Sequence, residues 1–194
     1  MIVCILGPPR SGTSLTTRIL NLLGVELGSR RSLEIKDMHN PKGYFEQRRI
    51  LAINEKFLAH FGYGYEHIGA DWGGPPELPT GWQAAPELID LRNEALDYVH
   101  SEFRGHELWG WKDPRTVFAL PFWQWVLPSM RYVVCIRNPV DTARSIERFV
   151  RCSFERGLNL WAMYLLSAMR YTDTHQRLVL FDLRFRVVAE RLPS

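Results

Sequence analysis

The chain has 194 residues, 24 basic and 21 acidic side chains, and a net charge of +3, which is ordinary for a globular protein. This length suits one domain and allows about 70% of the unfolded surface to be buried, so folding requires no disulfide or structural metal. The nearly balanced charge excludes recognition of nucleic acid or a membrane surface by bulk charge, so an anion site would have to be local.

Four short apolar runs predict buried strands, namely IVCIL at 2–6, ELWGW at 107–111, RYVVCIR at 131–137 and RLVLF at 177–181. Helical patterns at 13–23, about 86–103, 115–126 and 139–174 alternate with them, the last with a break near Gly157. This alternation predicts a three-layer α/β fold with a central, mainly parallel sheet, forming a single domain over residues 1–194.

Residues 61–86 show neither the helical nor the strand periodicity of apolar residues and are rich in glycine, proline and aromatic side chains, which predicts a loop. A loop of this length in a compact domain is usually either disordered or a functional lid, and its tryptophans argue against simple disorder. We interpret it as a candidate lid, because its aromatic residues could stack on a sugar or cover an apolar acceptor. These residues are Tyr63, Tyr65, Trp72 and Trp82, although most tryptophans of the chain are expected to pack in the core.

The cysteines and the N-terminal residues indicate the cellular compartment in which the protein is expected. Cys4, Cys135 and Cys152 show neither metal-ligand spacing nor a disulfide framework, which favours buried thiols in a reducing compartment. Met1 leads directly into an apolar strand, and no stretch of about 18 apolar residues occurs. We therefore expect a soluble, cytoplasmic protein with no membrane span and no nucleic-acid partner; self-association stays open.

The segment GPPRSGTS, after the first strand, nearly matches the phosphate loop G-x-x-x-x-G-K-[ST]. Gly7 and Gly12 permit a tight turn before a helix N-terminus, where free amides and the helix dipole attract an anion. Thr13 replaces the lysine of ATP and GTP sites, which weakens the case for a polyphosphate and a metal. Arg10 can instead present a cation to a single phosphate. The structural alternative is a turn in which Ser11 only caps the helix.

A second basic turn, RNPVDTARS, follows the third predicted strand. Asn138 is a favourable N-cap and Pro139 suits the first helical position, so a helix should begin there. Arg137 and Ser145 could close on one anion, although an arginine at a strand end is more often solvated or ion-paired. Because parallel strands end at the same edge of a sheet, two such turns suit a ligand with two separated phosphates, a nucleoside bisphosphate.

PRSGTS and RNPVDTARS resemble the paired signatures of the sulfotransferases that use 3′-phosphoadenosine-5′-phosphosulfate (PAPS). NPKGYFE at 40–46 and WKDPR at 111–115 resemble stretches of bacterial and carbohydrate-type members. The four matches occur in order and cover most of the chain. The resemblance implies a sulfotransferase fold, similar to that of P-loop nucleoside triphosphatases. It also implies transfer of the sulfuryl group of PAPS to a hydroxyl or amine of a small-molecule, carbohydrate or lipid acceptor, releasing 3′,5′-adenosine bisphosphate (PAP).

The resemblance further implies roles for individual residues. The first loop would hold the 5′-phosphosulfate, and its contacting residues would be Pro9, Arg10, Ser11, Gly12, Thr13 and Ser14. Arg137 and Ser145, eight residues apart, would hold the 3′-phosphate. Glu46 would be the base, and Arg10 and Lys112 would complete the catalytic group. Sulfuryl transfer requires mainly alignment and charge stabilisation, so no metal is expected.

The chain departs from the family pattern in two places. Pro114 stands where cytosolic-type enzymes have a histidine base, which leaves Glu46 or Asp113. For Asp113 we favour a structural role, pairing with Arg115 or capping the next helix; a solvated Glu46 is likewise the structural alternative. The late R-K-G signature is absent and the chain stops at Ser194. The short C-terminus leaves open a PAP- or PAPS-binding protein without catalytic activity. The glycine loop taken alone leaves open a small-molecule kinase with a phosphate loop, although the missing lysine speaks against it.

Overall fold

Four parallel strands form the centre of the fold, in a computed structural model that describes residues 1–33, 44–64 and 77–181. The strands are β1 (Ile2–Leu6), β2 (Trp109–Lys112), β3 (Met130–Ile136) and β4 (Arg177–Phe181). Their spatial order is β2-β1-β3-β4, and every neighbouring pair is parallel. Because β1 lies inside the sheet and is covered on both faces, its sequence is an uninterrupted apolar run.

Six α-helices occur in these described ranges. They are α1 (Thr13–Leu22), α2 (Arg48–His60), α3 (Pro86–Glu102), α4 (Leu120–Val126), α5 (Pro139–Val150) and α6 (Phe154–Tyr171). Short 3-10 turns lie at Trp82–Ala84 and Pro114–Val117. None of the helices in the described part of the chain combines the length and apolar character needed to cross a membrane. The predicted α/β fold with a parallel sheet is confirmed.

The two faces of the sheet bury different cores. On one face, Cys4 and Leu6 belong to the main core, to which helices α2 to α6 contribute. On the other face, Val3 and Ile5 belong to a small cluster against which Leu20 of α1 packs. Successive residues of a strand point to opposite faces, so β1 supplies both cores and forms the middle of three layers.

Two of the three cysteines are buried as expected. Cys4 and Cys135 lie in strands, Cys152 is half-buried, and all three are free thiols. Burial raises the pKa of the Cys135 thiol to about 11, although its hydrogen bond to Thr16 Oγ1, at 3.3 Å, opposes the shift. This thiol is therefore protonated at neutral pH.

Two helical segments differ from the sequence expectation. Helix α2 was not predicted, although its buried Ile50, Ile53 and Phe57 recur at the helical spacing that could have identified it. The helix predicted at 115–126 is divided into a 3-10 turn and α4. The physical reason is Pro121, which lacks an amide hydrogen and fits only in the first turn of a helix.

The helical tract predicted at 139–174 is interrupted as expected, but the break does not lie at Gly157. The chain turns instead at residues 151–153, where Arg151 has a φ of 55° and Ser153 Oγ accepts a hydrogen bond from Arg156 N at 3.2 Å. Gly157 lies inside α6, where a Cβ would come within 2.7 Å of the Ala143 carbonyl oxygen of α5. The glycine therefore allows α5 and α6 to pack closely and does not end the helix.

A buried hydrogen-bond network joins α2 to the end of β2. Asn54 Nδ2 donates to Asp113 Oδ2 at 2.8 Å and to Thr116 Oγ1 at 3.0 Å, and Asn54 Oδ1 accepts from Trp123 Nε1 at 2.6 Å. Asn54 and Asp113 are both completely buried. Buried polar groups require such partners, so the network holds the segment after Lys112 against α2.

Replacement of Asn54 by leucine would leave the Asp113 carboxylate and the Trp123 indole each without one partner. Because an unsatisfied buried polar group costs about 1–3 kcal/mol, we expect the free energy of unfolding to fall by about 3 kcal/mol. Urea unfolding followed by tryptophan fluorescence measures the change. Asn93→Leu, the same substitution at an exposed position of α3, is the control. A loss at Asn54 no greater than at Asn93 would contradict the importance of the network.

Candidate active site

The segment between β1 and α1 makes a tight turn beside the end of β3. Gly7 has a φ of 148°, and a Cβ there would lie 2.7 Å from the Cys135 carbonyl oxygen, so only glycine fits without displacement. Arg10 has a φ of 68°, a left-handed conformation that is uncommon for residues with a side chain. The buried Ser11 donates its hydroxyl to Pro8 O at 2.7 Å. Backbone conformations of this kind cluster at binding sites.

The first turn of α1 keeps its amides available for a ligand. Gly12 is the N-cap residue, no side chain within residues 1–33, 44–64 and 77–181 caps the helix, and its first turn contains no acidic residue. The hydroxyl of Ser11 bonds within the loop, so the alternative in which it caps α1 is not observed. Thr13 is buried, whereas Pro9 and Ser14 are half-buried. The unpaired amides and the helix dipole together create positive potential at this point.

The second basic turn is in direct contact with the first. Arg137 Nη1 donates to Arg10 O at 3.1 Å, and Arg10 Nε donates to Ser145 Oγ at 3.1 Å. The two turns, expected as separate anion sites, therefore adjoin at the carboxyl ends of β1 and β3. Arg137 Nε is buried and has no hydrogen-bond partner among the described residues. A buried donor without a partner is unusual and marks a position where an acceptor atom fits.

Helix α5 begins as predicted. Asn138 Oδ1 accepts from Val140 N at 2.9 Å and from Asp141 N at 3.2 Å, and Pro139 is the first helical residue. This cap starts the helix directly after β3 and so brings Ser145 to the first loop.

Two aromatic residues that the sequence analysis did not single out position the arginines. The Arg10 guanidinium lies 5.3 Å from the ring centroid of Phe149, and Trp161 Nε1 donates to Arg137 O at 3.1 Å. Phe149 follows Ser145 by four residues, so the helical period could have placed both on one face of α5. No local signal connects Trp161, in α6, with the end of β3.

Lys112 and Glu46 form a buried ion pair at the end of β2. Lys112 is the last residue of the strand, and its Nζ donates to Glu46 Oε1; their side chains are 4% and 10% exposed. Burial raises the pKa of the Glu46 carboxyl; the positive charge of Lys112 opposes this shift, and Asp113 adds to it. A buried carboxyl with a raised pKa is a stronger base than an ordinary glutamate, which suits it to accept and return a proton.

Asp113 has the structural role that we favoured. Its Oδ1 accepts from Arg115 N at 3.2 Å, which caps the following 3-10 turn, and from Arg115 Nη1 at 2.8 Å. Its Oδ2 accepts from Asn54, and the side chain is fully buried. Of the two candidate bases, Glu46 is therefore the one that is less committed to structural contacts.

Part of the predicted acceptor side lies outside the described residues, namely Asn40, Pro41, Lys42, Gly43, Tyr65 and Trp72. Within the candidate lid, Trp82 packs against the rings of Phe57 and Trp125, with centroids 5.6 and 5.5 Å apart, and Tyr63 packs on the main core. The described ends of the 61–86 segment are thus attached to the core, and its function as a lid stays a prediction.

Comparison with known proteins agrees with the resemblance seen in the sequence. The sequence profile of the sulfotransferase family matches residues 3–191, nearly the whole chain. The matched range contains both basic turns and the Lys112–Glu46 pair. No curated protein matches the chain. Because the family profile covers far more than half of its length, the chain belongs to the sulfotransferase family.

Proposed function

We propose that this chain transfers the sulfuryl group of PAPS to a hydroxyl of a small-molecule or carbohydrate acceptor. The observation that carries the proposal is the contact of Arg10 with both Arg137 and Ser145 beside the uncapped N-terminus of α1. Two guanidinium groups, a hydroxyl and free amides suit a ligand with more than one anionic group. Members of the family generally use PAPS, which has such groups at its 5′ and 3′ positions.

The chain's own groups fit the two ends of such a nucleotide. The loop residues Pro9 to Ser14 and the amides of α1 suit the 5′-phosphosulfate, because they combine free donors with a positive helix end. Arg137, whose Nε has no hydrogen-bond partner in the part of the chain that the structure describes, and Ser145 suit the 3′-phosphate. Ser145 Oγ accepts from Arg10 and could at the same time donate its own hydrogen to an anion, so this hydroxyl would connect the groups at the two ends of the ligand.

Catalysis would depend on charge stabilisation and proton transfer. Bound PAPS would supply an activated sulfuryl group. Arg10 and the first-turn amides of α1 would stabilise negative charge on the leaving phosphate oxygen, each charge-assisted bond contributing about 1.5–3 kcal/mol. Glu46 would accept the proton of the acceptor hydroxyl. Its protonation would remove the charge that holds Lys112, leaving the ammonium available to another anionic group in the same buried site.

Binding of PAP tests the donor assignment. A ligand at 100 times its dissociation constant stabilises a protein by about 2.7 kcal/mol, so thermal shifts with PAP, AMP and ATP with magnesium can be compared directly. We expect PAP to stabilise the chain most. Arg137→Ala should abolish the preference for PAP over AMP, because it removes the cation of the second turn. Arg131→Ala, at the other end of β3, should keep it.

Two outcomes would count against the donor assignment. A preference for ATP with magnesium over PAP would favour the kinase alternative. A preference for PAP that survives in Arg137→Ala would show that the second turn does not bind the 3′-phosphate.

Substitution of Glu46 by glutamine tests the base. We expect the rate of acceptor-dependent PAP release from PAPS to fall by about 10² to 10⁴, the usual contribution of a general base, while PAP still stabilises the protein. Glu87→Gln, at an exposed position of α3, is the matched control and should retain full activity. An equal rate in both variants would exclude Glu46 as the base. Wild-type protein that binds PAP but sulfates none of a broad panel of hydroxyl acceptors would support the non-catalytic alternative.

The pH dependence follows from the raised pKa of Glu46. The base is active only when deprotonated, so a raised pKa keeps it inactive up to a higher pH than an ordinary glutamate, whose pKa is about 4.3. We expect kcat/KM to rise with pH through a limb above that range, and the limb to be missing from the residual activity of Glu46→Gln. A wild-type profile that is flat from pH 5 upward would argue against this assignment.

A further inference from the structure

We propose that the acceptor is an anionic molecule, recognised through its own negative group by a turn with two arginines beside the Lys112–Glu46 pair. This inference rests on the proposed sulfotransferase function and specifies its class of substrate. The turn consists of Ser29, Arg30, Arg31 and Ser32, and we call it the arginine turn.

The arginine turn is held in one conformation by an acidic anchor. Ser32 N donates to Ser29 O at 2.9 Å, which leaves the two arginines as the central residues of a β-turn. Glu102, at the end of α3, accepts from Ser29 N at 2.5 Å and from Ser32 Oγ at 3.0 Å. Burial acts to raise the pKa of Glu102, but the hydrogen bonds from Ser29 and Ser32 lower it overall. The anchor therefore stays ionised at neutral pH, and the turn stays attached to α3.

The arginine turn lies next to the segment that carries Glu46. Leu33 forms an antiparallel bridge with Gln47, and Arg48 N donates to Ser32 O at 2.9 Å. The contact thus begins one residue after Glu46. At about 3.4 Å per residue along an extended chain, the backbone of the turn is on the order of 10 Å from the backbone of Glu46.

Both arginines of the turn are exposed, and neither makes a hydrogen bond or ion pair with another residue in the described part of the chain. Among the described residues, acidic side chains of segments near the turn have other partners. Glu26 accepts from Gly28 N at 2.9 Å, Glu102 holds the turn itself, and Glu94 pairs with Arg49 at 3.1 Å. The whole chain has a net charge of only +3, so two adjacent guanidinium groups with no partner among the described residues form a local concentration of positive charge.

Adjacent guanidinium groups on a fixed turn suit a carboxylate or a sulfate ester, because their planar donors can bind two oxygens at once. An acceptor that satisfies both parts of the site has an oxyanion about 10 Å from the hydroxyl that is sulfated. An oligosaccharide that contains uronic acid has this chemistry, since its carboxylates recur along the chain beside free hydroxyls. A neutral oligosaccharide would leave the arginine turn without a ligand.

Binding of two oligosaccharides in the presence of PAP tests the inference. The probes are an unsulfated hexasaccharide that contains uronic acid and neutral maltohexaose, titrated by isothermal calorimetry at low and high salt. We expect wild-type protein to bind the acidic probe at least about tenfold more tightly, with an advantage that salt reduces. R30Q/R31Q should lose this preference and keep its thermal shift with PAP. R131Q/R170Q removes the same charge from exposed arginines of β3 and α6 and should retain it.

The inference would be overturned if the wild type bound both probes equally or did not bind the acidic probe. It would also be overturned if the two double variants lost the preference for the acidic probe to the same extent. The thermal shift with PAP separates this failure from failure of the proposed function. A wild-type protein that binds PAP without preferring the acidic probe retains the proposed donor and loses only the proposed acceptor class.

Discussion

The buried carboxylate of Asp113 organises the site, because a charge removed from water requires hydrogen-bond and ion-pair partners for its oxygens. It binds Arg115 in the turn after β2 and Asn54 in the middle of α2. These contacts fix the two segments that supply Lys112 and Glu46. Apolar packing alone places a helix less uniquely, whereas a satisfied polar network tolerates only one arrangement. The geometry of the candidate acid–base pair therefore rests on a residue that we do not expect to take part in the reaction.

The order of the strands determines where the other charged side chains of the candidate site lie. β1 lies between β2 and β3, so the loop that contains Arg10 is placed between Lys112 on one side and Arg137 on the other. In the proposed reaction, the donor would lie across the ends of β1 and β3, and the acceptor would approach from the side of β2. The helix dipole of α1 points at the middle of this edge, where charge on the leaving group would develop.

Two ion pairs are buried side by side, Lys112 with Glu46 and Arg115 with Asp113. Burial of an ion pair contributes little to stability, since the loss of hydration offsets most of the attraction. The Asp113 pair is compensated by further hydrogen bonds to Asn54 and to a backbone amide. The Glu46 carboxyl has a raised pKa, which is the property expected of a group retained to exchange a proton.

Local patterns in the sequence were sufficient to predict the strands, the parallel sheet, the start of α5 at Asn138 and the two basic turns. The spacing of apolar residues, the spacing of glycines and the capping residues each depend on only a few neighbouring positions. The same patterns placed the break between α5 and α6 at Gly157, which is wrong because the glycine is required for close packing on Ala143 of another helix.

The contacts that assemble the site join residues far apart in the chain: Arg10 and Ser145 are separated by 135 positions, and Glu46 and Lys112 by 66. No period in the sequence encodes such pairs. They follow from the strand order and from the packing of helices on the sheet, so the folded arrangement was needed to show that the two basic turns adjoin and that Glu46 is buried against a lysine.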